Sequence, residues 1–316
     1  MVQIGTHRLY ASVSGPPRTP PDPLIVILNG AGDVASSYTA LSRLVAPSTR
    51  ILLYDRSGLG RSDPDPAPDL DPNPKGSPAT TAAKELHSLL CRTHLLPPLV
   101  LVAHSYGGII AREYLHLYPS EVAGIVLADS STERQSDCLQ LPLPTASISA
   151  VQGDLKFAQV TGLRAETVLS RDEWRVRAID IARGAEVAQV EANALVVVCN
   201  TLARKRQLES QAMGSRPLSV IRCNGVRDYE RIYHAGVEVG NGTVEQQEEF
   251  RALLARWKRF DGDLHEEQLR LSSNSHFVHL PDCGHNIHIL RPDVVAEEID
   301  WVLKQIKLKP QDTYRL

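Results

Sequence analysis

The chain has 316 residues, of which 42% are hydrophobic and 22% are charged. This composition can bury a core and excludes a chain that is disordered throughout. The formal net charge is −3, from 34 basic and 37 acidic residues. No long basic run stands out, so nucleic acid is not an expected partner. Apolar runs such as 194–199 are far shorter than the roughly 20 residues that cross a bilayer, so no membrane span is predicted.

The first residues and the cysteines indicate a compartment. Residues 1–8 lack a charged segment followed by an apolar stretch, so we expect no secretory signal. The five cysteines are irregularly spaced and contain no Cys-x-x-Cys pair, which favours buried, reduced thiols. The sequence therefore predicts a cytoplasmic protein, and it predicts no particular oligomeric state.

Short apolar runs alternate with helical patterns in the first 130 residues. Residues 3–14 are expected to form an antiparallel lead-in. The runs predicted as buried strands are rich in Val, Ile and Leu, and they cover 24–28, 51–54, 99–103 and 124–128. The helical patterns between them cover 36–45, 81–94 and 107–118. This alternation predicts an α/β fold with a mostly parallel sheet and helices on both faces.

The pattern changes after residue 129. Residues 133–214 carry helical patterns, at 171–183 and 186–206, but no clear strand. We interpret this segment as a helical cap inserted in the core, where it would shape the substrate pocket. Trp174 is expected in the interior of the cap, and the arginines of its first long helix are expected on a solvated face: Arg171, Arg175, Arg177 and Arg183.

Core elements return after the cap. Strand-like runs cover 218–223 and 276–280, and an amphipathic helix follows Pro292. The predicted domains are therefore a core of 1–132 and 215–316 and a cap of 133–214.

The stretch from Ala103 to Gly107 suggests a nucleophile. A predicted strand runs directly into Ser105, and glycines then open a helix. The pattern is small-x-Ser-x-Gly, and small residues are needed on both sides because the turn is tight. Such a serine would stand above the sheet edge at a helix N-terminus, where backbone N–H groups favour a developing oxyanion.

A glycine-rich turn follows the first buried strand. Asn29 and Gly30 begin this turn, and they can aim the backbone N–H of Ala31 at the same oxyanion as the N–H of Tyr106. Asn29, Gly30 and Gly107 are the supporting turn residues. A phosphate-binding loop is disfavoured, because there is no Gly-x-Gly-x-x-Gly and no Gly-Lys-[Ser/Thr].

A base and an acid are expected at the carboxyl ends of later strands. His285 follows Gly284 after the last strand, and we prefer it as base over His104 and His288.

Two aspartates compete to orient His285. Asp228 follows the penultimate strand and gives the order Ser, Asp, His expected for this kind of site, so it is preferred. Asp129, directly after the strand at 124–128, is the alternative.

These residues resemble the α/β-hydrolase family, in the branch with a serine nucleophile. The resemblance covers nearly the whole chain outside the cap. It rests on 28–32, on Tyr-Asp-Arg-Ser-Gly-Leu-Gly-Arg-Ser-Asp at 54–63, on 103–107, and on Gly-His at 284–285 with Arg-Pro-Asp at 291–293. In the 54–63 turn, Arg56 and Asp63 are expected to pair. Asn29 stands where many members have histidine, and Ala103 replaces the first glycine of the motif.

The predicted reaction is acyl transfer to water on a small-to-medium ester, lactone or thioester. Ser105 attacks, His285 moves the proton, and the acid supports the imidazole. The histidines are scattered, so no metal is expected, and no cofactor is needed. C–C bond hydrolysis, aminopeptidase activity, a lyase or cyclase acting on a metabolite, and a ligand-binding receptor remain alternatives.

Overall fold

The computed structural model describes residues 1–19, 21–66 and 77–308. Residues 67–76 and 309–316 of the predicted core lie outside the described residues. Nine strands are found in the described part: β1 Val2–Gln3, β2 Arg8–Leu9, β3 Ala11–Ser14, β4 Leu24–Leu28, β5 Ile51–Tyr54, β6 Leu99–His104, β7 Val122–Ala128, β8 Leu218–Cys223 and β9 Ser275–Leu280. β1 and β2 form a small hairpin, and the other seven form one sheet.

The strand order in the large sheet is β3-β5-β4-β6-β7-β8-β9. β3 runs antiparallel to β5, and every other neighbouring pair is parallel. The predicted mostly parallel sheet with an antiparallel lead-in is therefore confirmed. Because parallel strands end at the same edge, the residues that follow β4, β6, β7, β8 and β9 meet there.

The described helices are α1 Thr39–Val45, α2 Pro78–Arg92, α3 Gly107–Leu117, α4 Gln135–Leu139, α5 Thr145–Gln152, α6 Phe157–Val160, α7 Leu163–Glu166, α8 Arg171–Arg183, α9 Ala185–Asn193, α10 Leu195–Ala203, α11 Gly225–Glu238, α12 Val244–Glu266, α13 Ile287–Leu290 and α14 Pro292–Leu308. Short 3₁₀ turns cover Ala35–Tyr38, Pro119–Glu121 and Glu267–Leu271.

The sheet is buried on both faces. In β4, Leu24, Val26 and Leu28 pack into one apolar cluster with α2 and α3. Ile25 and Ile27 pack into a second cluster with α1 and α14. Alternate side chains of a strand point to opposite faces, so a continuous apolar run is what a sheet with helices on both sides requires.

Helices alone occupy the chain between β7 and β8, where the sequence predicted a cap. α8 begins at its predicted residue because Ser170 and Glu173 form a capping box. The predicted helix 186–206 is divided into α9 and α10 at Ala194. The exact division of the chain into core and cap stays a prediction.

Two long helices, α11 and α12, were not predicted. They lie between β8 and β9, and α12 alone has 23 residues. Their apolar faces bury Val226, Ile232, Phe250 and Leu254 against Val151 of α5. The helical layer above the sheet is therefore built from two segments of the chain.

Candidate active site

Ser105 lies at the sharp turn between β6 and α3. Its φ is +53°, a left-handed conformation that is uncommon for a residue with a side chain. A Cβ at Gly107 would lie 2.1 Å from the carbonyl oxygen of Leu28, so only glycine lets α3 approach β4 this closely. The backbone N–H of Ser105 donates to Ala128 at 3.3 Å. The turn therefore holds the serine in a strained conformation next to the end of β7.

The loop after β4 lies against Ser105. A Cβ at Gly30 would be 3.3 Å from the Cβ of Ser105. Among the described residues, neither the N–H of Ala31 nor that of Tyr106 donates a hydrogen bond. The loop begins at the buried Asn29, whose amide donates to the carbonyl of Tyr54 at 2.9 Å. Two unused donors thus belong to the two segments that flank the serine.

A buried ion pair between Arg56 and Glu191 of α9 supports this loop. Arg56 donates to both carboxylate oxygens of Glu191, from Nε at 2.7 Å and from Nη2 at 2.8 Å. It also donates to the carbonyls of Asn29 at 2.8 Å and Gly30 at 2.7 Å. Glu191, on α9, accepts from the N–H of Gly32 at 2.7 Å. The loop is therefore held at the carbonyls of Asn29 and Gly30 and at the N–H of Gly32.

The expected pairing of Arg56 with Asp63 is wrong. Asp63 is paired with Arg8, whose Nε lies 2.7 Å from the carboxylate. Arg56 is almost fully buried and turns away from the surface to reach Glu191. A partner from a distant helix could not be read from the local spacing of residues 54–63.

His285 is paired with Asp129. Its Nδ1 donates to Asp129 Oδ2 at 2.6 Å, and its Nε2 makes no hydrogen bond within the described residues. Burial alone would lower the pKa of His285, but the hydrogen bond to Asp129 and its charge outweigh burial and raise the pKa. Burial would raise the pKa of Asp129, yet His265 and His285 hold that pKa well below its usual value. Because Nδ1 is bonded to Asp129, Nε2 is the ring nitrogen of His285 that remains available to another group.

Asp228, the preferred acid in the sequence analysis, does not bond the His285 ring. Its carboxylate packs against Gly284, where a Cβ would lie 2.3 Å from Oδ2. Its pKa is raised by burial, with Arg227 and His285 partly opposing the shift. Asp228 lies on α11 beneath the turn that carries His285, so its position suits support of that turn. The alternative, Asp129, directly follows β7 and reaches the ring.

The two rival bases are engaged elsewhere. Nε2 of His104 donates to the carbonyl of His285 at 2.9 Å, and the hydroxyl of Tyr38 lies 3.2 Å from its Nδ1. Burial and the neighbouring histidines hold the pKa of His104 well below its usual value. His288 is buried with Nε2 at 3.2 Å from Asp33 Oδ2. Both rings are therefore buried in contacts around the site, and neither is placed as the base.

One group in the described part of the chain has the donors of a metal site. Asp33, His104 and His288 each bring a ligand atom within 4.8 Å of the others. Nitrogen and oxygen donors of this kind suit zinc. His104 is hydrogen-bonded to Tyr38 and to the carbonyl of His285, and His288 Nε2 lies 3.2 Å from Asp33 outside hydrogen-bond geometry, so we interpret the group as side chains that contact one another. The predicted absence of a metal stays a prediction.

The α8 residues named in the sequence analysis are mostly paired. Trp174 is half-buried between Arg164 and Arg177, whose guanidinium carbons lie 5.2 and 5.3 Å from its ring centre. Arg177 also donates to Ser37 of the core at 3.0 Å, and Arg183 pairs with Asp180 at 2.9 Å. Arg171 and Arg175 are exposed on α8. Trp174 is therefore a packing residue of α8.

His265 was missed by the sequence analysis. It is buried at the end of α12, with Nε2 3.2 Å from Asp129 Oδ1. The apolar spacing of Phe250, Leu253, Leu254 and Trp257 predicts a helix here, but nothing in the local sequence indicates that the helix ends beneath Asp129.

The fold and the site together define a protein of the α/β-hydrolase class. A parallel sheet carries a serine on a strained strand-to-helix turn and a histidine–aspartate pair at the same edge. The alpha/beta hydrolase family model matches residues 25–298. The chain therefore belongs to the alpha/beta hydrolase family, and this membership supports a hydrolase.

Two curated proteins are similar over almost the whole chain. "Probable transporter efuK" of Hormonema carpetanum is 32% identical over 315 residues, 98% of this chain and 43% of that protein. "AB hydrolase superfamily protein" of Gibberella zeae is 29% identical over 314 residues, 95% of this chain and 92% of that protein. The chain thus spans less than half of the first relative and nearly all of the second.

A solved structure with the same fold is the thermophilic esterase from Thermogutta terrifontis. It has a TM-score of 0.55 and 17% identity, covering 95% of this chain and 94% of that chain. At this identity the likeness shows the fold alone. In the described residues, every helix is too short or too polar to cross a membrane.

Proposed function

We propose that the chain is a serine hydrolase that cleaves a small-to-medium ester, lactone or thioester through an acyl-enzyme on Ser105. The observation that carries this proposal is the hydrogen bond of 2.6 Å from His285 Nδ1 to Asp129, made at the sheet edge where Ser105 lies. This bond leaves Nε2 of His285 as the basic nitrogen. Hydrogen bonds between base and nucleophile are often long or absent before substrate binds.

The proposed reaction has two halves. His285 Nε2 removes the proton of Ser105 Oγ as that oxygen attacks the carbonyl carbon, and His285 then gives the proton to the leaving group. Water then attacks the acyl carbon while losing a proton to the same nitrogen. The bond from the acyl carbon to Ser105 Oγ breaks, His285 returns the proton to Oγ, and the carboxylic acid leaves. The N–H groups of Ala31 and Tyr106 are the proposed donors to the oxyanion, because neither is used elsewhere in the described residues.

Asp129 is the proposed orienting acid, in place of Asp228. Its Oδ2 accepts from His285, and its Oδ1 accepts from the N–H of Cys223 at 2.8 Å. A carboxylate fixed at both oxygens can hold one tautomer of the imidazole and stabilise the imidazolium formed during the reaction. No step in this proposal uses a metal or a cofactor.

The test is intact mass spectrometry after incubation with a fluorophosphonate. Wild type is compared with Ser105→Ala and with Ser131→Ala, a half-buried serine in the loop after β7. We expect one adduct on wild type and on Ser131→Ala, and none on Ser105→Ala. An absent adduct on folded wild type would contradict an activated serine and favour the receptor or the lyase.

The substrate class is tested next with a panel of acyl esters, lactones, thioesters and aminoacyl esters. Preference for simple acyl esters or lactones over aminoacyl esters supports the proposal. Preference for aminoacyl esters would instead indicate a peptidase.

A further inference from the structure

A second histidine contacts the carboxylate that bonds His285. His265 is 7% exposed and lies in the last turn of α12. Its Nε2 is 3.2 Å from Asp129 Oδ1, while His285 occupies Oδ2 of the same carboxylate at 2.6 Å. Asp129 therefore lies between two imidazole rings, and the proposed mechanism uses only one of them.

The contacts of His265 indicate how its ring is protonated. Its Nδ1 lies 2.8 Å from the backbone carbonyl oxygen of Asp261. A carbonyl oxygen can only accept, so Nδ1 must carry a proton. Nε2 lies 3.2 Å from a carboxylate oxygen but outside hydrogen-bond geometry. Without a proton, Nε2 would hold a lone pair beside a carboxylate, which is repulsive, whereas a second proton makes the ring a cation beside an anion. The favourable arrangement is an imidazolium ion paired with Asp129.

The charges around His265 are balanced when it is a cation. Asp129 faces it from the end of β7, and Asp261 faces it from α12 with Oδ1 at 3.7 Å. Asp261 is also paired with Arg222 of β8 at 2.7 Å. Beyond Asp129, His285 is the other titratable ring. The carboxylates of Asp129 and Asp261 are then matched by two cations, His265 and Arg222. Charges can be held in a buried cluster when they are paired in this way.

The position in the helix and the local electrostatics agree. A cation in the last turn of a helix is stabilised by the partial negative charge of the terminal carbonyls. Burial would lower the pKa of His265, but the close contact with the Asp129 carboxylate and the charges of Asp129 and Asp261 raise it.

We propose that His265 is a positioning residue of the active site, which as an imidazolium ion holds Asp129 in place and limits the negative charge that Asp129 presents to His285. This inference rests on the proposed function. Without the cation, Asp129 would attract the proton on His285 more strongly, and the base would be blocked by protonation at higher pH. With the cation, Asp129 still orients the ring while leaving Nε2 free.

The kinetic test uses His265→Gln, which keeps a side-chain donor but removes the charge. We expect the acid limb of the kcat/KM profile on an activated ester to move to higher pH by about one unit, the usual scale of such perturbations. The matched control is His276→Gln. His276 also pairs with a carboxylate, Glu298, at 2.7 Å, but at the start of β9. It should leave the profile unchanged.

The direct test is ¹⁵N NMR of the histidine rings in wild type, which needs no activity. We expect one buried ring, absent from the spectra of His265→Gln and His265→Asn, to carry protons on both nitrogens near neutral pH. A neutral His265 in wild type would overturn the proposal. A folded His265→Gln with reduced activity and an unshifted acid limb would also overturn it, because a packing role alone predicts that result.

The two proposals fail in different ways. If wild type takes up no fluorophosphonate, the proposed function fails, while the spectra still decide whether His265 is charged. If Ser105 is labelled and His265 is neutral, the hydrolase proposal stands and the role of His265 is refuted.

Discussion

Glu191→Gln tests whether α9 holds the loop that carries the proposed oxyanion donor. Glu191 is 7% exposed and makes hydrogen bonds to Arg56 and to the N–H of Gly32. Glutamine has nearly the same shape but presents one amide group where a carboxylate oxygen accepted hydrogen bonds. The substitution therefore leaves the buried guanidinium without its counter-ion.

The expected loss of stability follows from this burial. Removing one partner of a buried ion pair costs about 3–5 kcal/mol, because the remaining charge is uncompensated. Glutamine keeps one acceptor, so we expect the lower end, about 3 kcal/mol. A second effect concerns the reaction. Arg56 donates to the carbonyls of Asn29 and Gly30. The Gly30 carbonyl belongs to the same peptide group as the N–H of Ala31, so this N–H should shift when Arg56 moves. Losing one oxyanion donor costs about 10²–10³ in kcat, and a shifted donor should cost less than that.

The assay combines urea unfolding with ester hydrolysis. Glu191→Gln should lower the free energy of unfolding and reduce kcat at temperatures where it stays folded, with little change in KM. The matched control is Glu186→Gln on the same helix, where the carboxylate is exposed and surface substitutions usually change stability by less than about 0.5 kcal/mol.

A double variant separates the two effects. Replacing the pair with Arg56→Met and Glu191→Leu removes both buried charges, so stability should recover in large part. The rate should stay low, because the carbonyls of Asn29 and Gly30 have lost their donor. The reasoning is refuted if Glu191→Gln matches Glu186→Gln in both stability and kcat.

The remaining predictions concern the acid, the base and the turn. Asp129→Asn should lower kcat by about 10⁴ through the wrong imidazole tautomer, whereas Asp228→Asn should mainly lower stability; the reverse ranking in an ester assay would restore Asp228 as the acid. The pKa of His285 is raised and its neutral form is the base, so kcat/KM should fall as pH drops through that raised value; a profile flat to well below the ordinary histidine pKa would contradict this assignment. Gly107→Ala should lower the free energy of unfolding by about 3 kcal/mol, the upper end for overpacking, because its Cβ would meet Leu28 at 2.1 Å; urea unfolding with an unchanged midpoint would show that α3 is not packed this tightly.

The strands were predicted more accurately than the helices around the site. A strand buried on both faces is a continuous apolar run, and such runs at 24–28, 51–54 and 218–223 match β4, β5 and β8. The helices α11 and α12 were missed although the spacing of Phe250, Leu253 and Leu254 is helical.

The acid illustrates a limit of arguments from chain order. Both Asp129 and Asp228 lie between Ser105 and His285 in the sequence, so the order serine, aspartate, histidine is satisfied by either. What separates them is the contact each carboxylate makes, because Asp129 bonds the His285 ring whereas Asp228, on α11, packs against Gly284. Both contacts come from tertiary packing and have no local signal in the sequence.

Two buried ion pairs hold the two sides of the site, and each includes a residue from the helical layer. Glu191 on α9 holds the loop after β4 through Arg56, and His265 on α12 contacts the acid after β7. Neither partner was predictable, since each pair joins segments more than 130 residues apart in sequence. The sheet edge sets where the reactive groups stand. The helices above it supply the charges that fix their orientation, so we expect substitutions in these helices to change the rate and its pH dependence without touching the nucleophile.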